Sequence, residues 1–133
     1  MRLPLTAPLL VVALTTTALA HEGATGVVKE RMDAMEEIGE ATKLLALLAQ
    51  GAIPHDAARV TTAADILETR MVLSLDKFPE GSDQHPTRAL PAVWSDRDDF
   101  DAKAQDLITL AQDLRRAAAD PQATLALIPQ IND

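Results

Sequence analysis

Cysteine is absent from this chain of 133 residues, and its absence removes whole classes of chemistry. Disulfide staples, thiolate zinc sites, thiol redox couples and thiol nucleophiles are excluded. So is covalent haem attachment through Cys-x-x-Cys-His within these residues. Tyrosine is absent too, and there are only two phenylalanines and one tryptophan. No segment alternates apolar and polar residues for long, so a β-sandwich is disfavoured. Positive charge is scarce: 12 Lys and Arg stand against 20 Asp and Glu, a net charge of −8. Phosphate binding needs clustered Lys and Arg, so this balance argues against nucleic acid and against tight binding to an anionic membrane surface. There is no suggestive Ser-His-Asp pattern, no glycine-rich phosphate loop and no His-Glu-x-x-His pair, and the Glu-x-x-His pairs of a di-iron bundle are missing. An enzyme is therefore not expected.

What is present begins with a leader. Arg2 precedes an apolar run from Leu3 to Ala20 that ends Ala18-Leu19-Ala20, a small-x-small cleavage pattern. A positive start, an apolar middle and that ending read as a secretory signal peptide over residues 1–20. The competing reading is a membrane anchor, for which about 20 apolar residues are needed. The threonines, prolines and cleavage pattern favour removal, which leaves no stable membrane insertion. The mature domain then spans 21–133, is exported to the periplasm, and carries a net charge of −9 after loss of Arg2.

Three long segments carry apolar residues every three or four positions. The first spans about 24–50, with Val28, Arg31/Met32, Met35, Ile38, Thr42, Leu45 and Leu48/Ala49 on one face, and Gly51 and Pro54 after it. The second spans about 56–77 through Val60, Ala63, Leu67, Met71 and Leu75, and Phe78-Pro79 ends it. The third opens at Ser95 or Asp96 and runs through Phe100, Ala104, Leu107, Ala111, Leu114 and Ala118, with Arg115 and Arg116 in the last turn. A fourth begins at Asp120-Pro121 and continues through Leu125, Ile128 and Ile131, where Pro129 disturbs it. These rods predict an all-α, antiparallel up-down four-helix bundle whose fourth helix is cut short or frayed. The stretch from Phe78 to Trp94 is the exception. It is long, rich in Pro, Gly, Ser and Asp, and without periodicity, so it is expected to wrap the bundle surface.

Two stretches are more specific than a generic bundle. One is Arg31-Met32-Asp33-Ala34-Met35 on the first helix. The other is Phe78-Pro79-Glu80-Gly81-Ser82, then Thr87-Arg88-Ala89-Leu90-Pro91-Ala92-Val93-Trp94, then Phe100. Together they resemble the cytochrome c-prime family of class II cytochromes c, over roughly residues 24–131. The resemblance implies a periplasmic electron-transfer protein carrying haem c at one end of the bundle. Met35 would be the metal ligand of the low-spin branch, and Arg31, Met32, Phe78 and Trp94 would be cofactor-binding. Arg31 would pair with a haem propionate. It also implies redox partner proteins and a homodimer through the first two helices. The departure is at the end of the fourth helix, where the family carries Cys-x-x-Cys-His and this chain reaches Asp133 without it. The cofactor is therefore conditional, and the chain reads as a truncated or degenerate member. The alternative is a haem-free periplasmic bundle used for binding or interaction, and non-covalent haem binding is a further variant.

Without the resemblance, each of these residues has a plainer reading. Met32, Met35 and Met71 on a helical stripe are core filler. Arg31 is a solvated or snorkelling charge, and Trp94 a wedge holding the loop on the bundle. The acidic runs Glu36-Glu37 and 96–101 are solvated faces. His21, His55 and His85 are expected to be exposed, with copper capture at a newly formed N-terminal His21 a weaker alternative.

Overall fold

The computed structural model describes residues 24–84 and 86–132. The expected leader, and with it His21 and His85, lies outside the described residues. Five α-helices follow one another: α1 Gly26–Ala49, α2 Ala57–Ser74, α3 Ala92–Ser95, α4 Arg97–Ala117 and α5 Pro121–Leu127. Short 3-10 turns extend α2 over Leu75–Lys77 and α5 over Ile128–Asn132. The described residues contain no strand. α1, α2, α4 and α5 make the up-down bundle. α2 packs against both α1 and α4, and α5 with its 3-10 extension returns along α4 and touches α1. No helix among the described residues is long and apolar enough to cross a membrane.

Local chemistry sets the ends of these rods. The Asp56 carboxylate caps α2, accepting from the amides of Ala58 at 2.9 Å and Arg59 at 3.1 Å. Asp120 does the same for α5 from Gln122 and Ala123, with Pro121 in the first helical position. α1 stops in a Schellman turn: Ala52 donates to the Leu47 carbonyl, Gly51 donates to Leu48, and Gly51 takes φ +69°. Asp98 and Asp99 in the first turn of α4, and Arg115 and Arg116 in its last, complement the helix dipole. Pro129 has no amide hydrogen to give an α-helix, and the chain there tightens to a 3-10 turn.

The core mixes large aliphatic residues with alanines. Leu45, Leu48, Val60, Leu67, Leu110, Leu114 and Ile128 interlock with Ala41, Ala63, Ala64, Ala111 and Ala118. A smaller cluster of Met71, Ala104 and Ile108 lies towards the loop end, flanked by Ile38, Leu75 and Leu107. Alanines at the contacts let the helix backbones approach closely while the leucines fill the space between them. On α1, Arg31, Leu45 and Leu48 of the expected stripe are buried, and two positions differ. Ala34 and Ala41 face inward, while Met35 and Thr42 sit one position round at the edge. His55 also departs from expectation. It is half-buried, and its Nε2–H donates to the Ala118 carbonyl at 2.9 Å, pinning the α1–α2 link to the end of α4. Its Nδ1 is buried without a partner among the described residues.

One polar cluster ties α2 to α4. Arg115 donates to Asp65 at 2.6 Å and to Glu68, while the Gln112 amide donates to the other Glu68 oxygen at 2.8 Å. The hydrogen bonds from Gln112 and then Arg115 hold the Glu68 carboxyl below the usual carboxylate range, and the same cluster raises Arg115. A carboxyl with a depressed folded value stabilises the fold above its unfolded value of about 4.3. That contribution is lost as pH falls through the folded value. Glu68→Gln should therefore melt lower than the parent at pH 7, and the gap should close on acidification below about pH 4. A gap independent of pH in thermal melts would contradict this role for the Glu68 charge.

Candidate functional site

Between Ser74 and α4 the chain leaves the bundle and folds over its end. Gly81 takes φ +80° at the third position of a turn in which Ser82 donates its amide to the Pro79 carbonyl. Only glycine adopts that conformation readily, which explains Pro79-Glu80-Gly81-Ser82 as a type II turn. The Pro79 carbonyl also accepts from the Ser82 hydroxyl at 2.7 Å and from the Trp94 indole at 3.0 Å. Phe78 is buried and meets Trp94 and Phe100 edge-on, at 6.0 and 4.8 Å between centroids.

At the centre of this loop is Arg31, 2% exposed. It is delivered from α1, and all four of its terminal N–H bonds end on the loop. Nη1 donates to the Lys77 carbonyl at 3.2 Å and the Ser82 hydroxyl at 2.9 Å. Nη2 donates to the Ser82 carbonyl and the Thr87 hydroxyl, both at 2.6 Å. The rings of Phe78 and Trp94 lie 5.1 and 5.4 Å from its Cζ, in cation–π range. Burial pushes the guanidinium below its ordinary value, with Asp83 opposing the shift. Arg97 adds a second clamp, donating to the carbonyls of Leu75 at 2.8 Å and Phe78 at 3.3 Å.

The loop and α1 enclose a cleft of about 550 Å³. From α1 come Met32, Met35 and Glu36, with Arg31 behind them. From the loop side come Phe78, Thr87, Arg88, Ala89 and Val93, and from α4 Phe100. Met35 is 37% exposed and stands on the cleft wall, so its thioether is open to an occupant rather than consumed by the core. Of the residues singled out from sequence, Arg31, Met32, Met35 and Phe78 meet at this cleft. Trp94 stands behind it, supporting Phe78 and Arg31. Arg31 reaches the wall with its terminal donors engaged by neutral acceptors of the loop.

Sequence pattern alone does not pair Ser82 and Thr87 with Arg31, make Arg97 a clamp or bring Arg88 to the cleft mouth. Ser82, Thr87 and Arg88 stood in plain view within the quoted motif. What was missing was the fold-back that brings residues 51 and 56 positions from Arg31 into hydrogen-bond reach.

Lysine keeps the charge of Arg31 but has neither the planar fork nor enough directed donors. Arg31→Lys should therefore destabilise the chain by about 2–4 kcal/mol, since buried acceptors lose a charged donor. It should also shift Trp94 emission, because the indole packs beside the guanidinium. Urea unfolding monitored at Trp94 measures both. A loss below about 0.5 kcal/mol, the ordinary range of a surface change, would rule out the clamp.

Residues 26–131 match the Cytochrome C' family. Cytochrome c-556 of Agrobacterium fabrum (strain C58) is 37% identical over 106 residues, covering 80% of this chain and 65% of that protein, just under two thirds of its length. Cytochrome c-556 of Agrobacterium tumefaciens (strain II Chrys) is 34% identical over 104 residues, covering 78% and 76%. Among solved structures, cytochrome c' from Rubrivivax gelatinosus superposes with a TM-score of 0.71 at 29% identity, covering 80% of this chain and 85% of that one. A nitrosyl complex of a cytochrome c prime variant from Alcaligenes xylosoxidans gives 0.70 at 25% identity. A bundle of this topology, matched in sequence over nearly all its described residues, belongs to the cytochrome c' family of class II cytochromes c.

Proposed function

We propose that the cleft beneath the 78–94 loop receives one face of a haem, and that the protein is an exported, periplasmic one-electron carrier without enzymatic activity. Haem c is the cofactor that the family implies. The residues here fit one side of it. Apolar walls from Met32, Phe78, Val93 and Phe100 suit a flat ring, and a thioether at Met35 is a soft donor suited to iron. The two cysteines and the histidine that would serve the other side are not among the 133 residues. When bound, the haem supplies reversible one-electron chemistry. What this chain contributes is the setting: Met35 presents sulfur at the wall, the aromatic residues exclude water, and Arg31 holds the loop that closes the pocket. A low-dielectric wall of this kind tunes a redox potential without performing chemistry itself. The acidic surface favours docking to basic redox proteins. A homodimer through α1 and α2 is part of the same proposal.

The observation that carries this reading is Met35 standing free on an apolar wall when the packed core lies one position round the helix. Ferric haem titrated into the 133-residue chain should give a saturable Soret change at one equivalent. Met35→Leu should weaken that binding and remove any sulfur-to-iron charge-transfer absorption. The alternative, a haem-free bundle for binding or interaction, requires that no saturable change occur in either protein.

A further inference from the structure

We propose that Met32 and Met35 together form a two-sulfur site for copper(I), a soft monovalent cation, on the α1 wall of the cleft. The site does not depend on ring binding, because it uses the sulfur of Met32, which the haem reading needs only as apolar wall. Four methionines occur in the chain, and three lie among the described residues. Met71 is consumed by the packing of α2 against α4, at 9% exposure. Met32 and Met35 are not. Both line the same cleft, Met32 half-buried and Met35 more open still.

Their spacing makes them neighbours. Residues three apart on a helix have about 5–6 Å between their Cβ atoms. Methionine is unbranched with three rotatable bonds, so both sulfurs can close on one ion while α1 stays still. Asp33, between them in sequence, is not part of the lining and pairs with Lys29 at 2.5 Å. Two sulfurs leave a further position on the ion open to the cleft, for water or an added donor.

The choice of ion follows from the donors and from the neighbouring charge. Thioethers are soft and neutral, which suits copper(I) and disfavours the oxygen-seeking calcium, magnesium and manganese ions. Zinc wants thiolate, imidazole or carboxylate. Cysteine is absent, and among the described residues no three His, Asp or Glu side chains gather to hold a metal. Arg31 and Arg88 also line the cleft. Their charge opposes any cation, and a doubly charged ion meets twice the repulsion of a singly charged one. A thioether also has no proton to lose. A histidine site weakens as pH falls through the imidazole range, whereas a two-sulfur site keeps its affinity.

Silver(I), supplied as the nitrate in chloride-free buffer, is a redox-inert stand-in for copper(I). Titrated calorimetrically into the full chain, its tightest site should fill at one equivalent, with equal affinity on either side of the imidazole pKa of about 6.5. In protein labelled with methyl-13C methionine, the Met32 and Met35 signals should shift together and that of Met71 should stay in place. Met32→Leu and Met35→Leu conserve apolar volume. Each should weaken silver binding by about tenfold or more, since even the loss of an outer-shell partner costs a metal site that much. Met71→Leu should change nothing. Silver binding that survives Met32→Leu, or that is lost on acidification, overturns the two-sulfur site. The haem titration separates this site from the ring reading, because Met32→Leu keeps the apolar wall and should leave the Soret change in place. A Soret change in a parent chain that binds no silver sinks the copper site alone, and silver binding without a Soret change sinks the ring alone.

Discussion

The structure depends on a buried guanidinium that has no buried carboxylate as partner. Removing a charge from water costs several kcal/mol even after the protein relaxes. Arg31 offsets this with neutral acceptors arranged at the four ends of its fork and with two aromatic faces. Asp83 helps from a distance, and its effect is smaller than that of burial. The arrangement is selective in a way an ion pair is not. A carboxylate accepts a guanidinium from many approaches, but two carbonyls and two hydroxyls from residues 77, 82 and 87 converge only when the loop has one shape. The charge thereby converts a segment without helical periodicity into a defined wall.

The rest of the molecule makes this use of Arg31 affordable. The alanine-rich contacts between α1, α2 and α4 bring the backbones close and give a rigid frame. The polar cluster of Arg115 with Asp65 and Glu68 fixes α4 against α2. The frame ends near Met71, Ala104 and Ile108. Beyond it the packing passes to Phe78, Trp94 and Phe100, which are the chain's only aromatic residues. A chain so poor in aromatics has placed all of them where loop, helix and cleft meet. Large flat side chains there cover area that alanines cannot, and they give Arg31 its cation–π faces.

The rods and their ends were readable in the sequence because they depend on local rules: apolar spacing, Asp56 and Asp120 as caps, Gly51 as a stop, Pro129 as a disturbance. The family was readable because Phe78 to Ser82 and Thr87 to Trp94 preserve order and spacing. The inward face of α1 is as expected at Arg31, Leu45 and Leu48 and differs at two positions, where Ala34 and Ala41 are buried in place of Met35 and Thr42. Alanine carries little weight in an apolar stripe, so spacing alone favours Met35 and Thr42 over Ala34 and Ala41. Yet that difference is what leaves Met35 at the cleft. His55 was read as exposed because its loop context says nothing of the Ala118 carbonyl, 63 residues away. The partners of Arg31 were hidden for the same reason. Spacing along a helix reveals which residues share a face, and it is silent about what a non-periodic loop will bring to that face.

The relation between Arg31 and Met35 follows from helical geometry. They are four residues apart on α1, one turn, so their side chains lie on neighbouring parts of one surface. The loop anchored at Arg31 therefore sits at a fixed height above Met35, and the depth of the cleft is set by the same contact that holds the loop down. With its four terminal donors given to the loop, Arg31 keeps that wall in one shape.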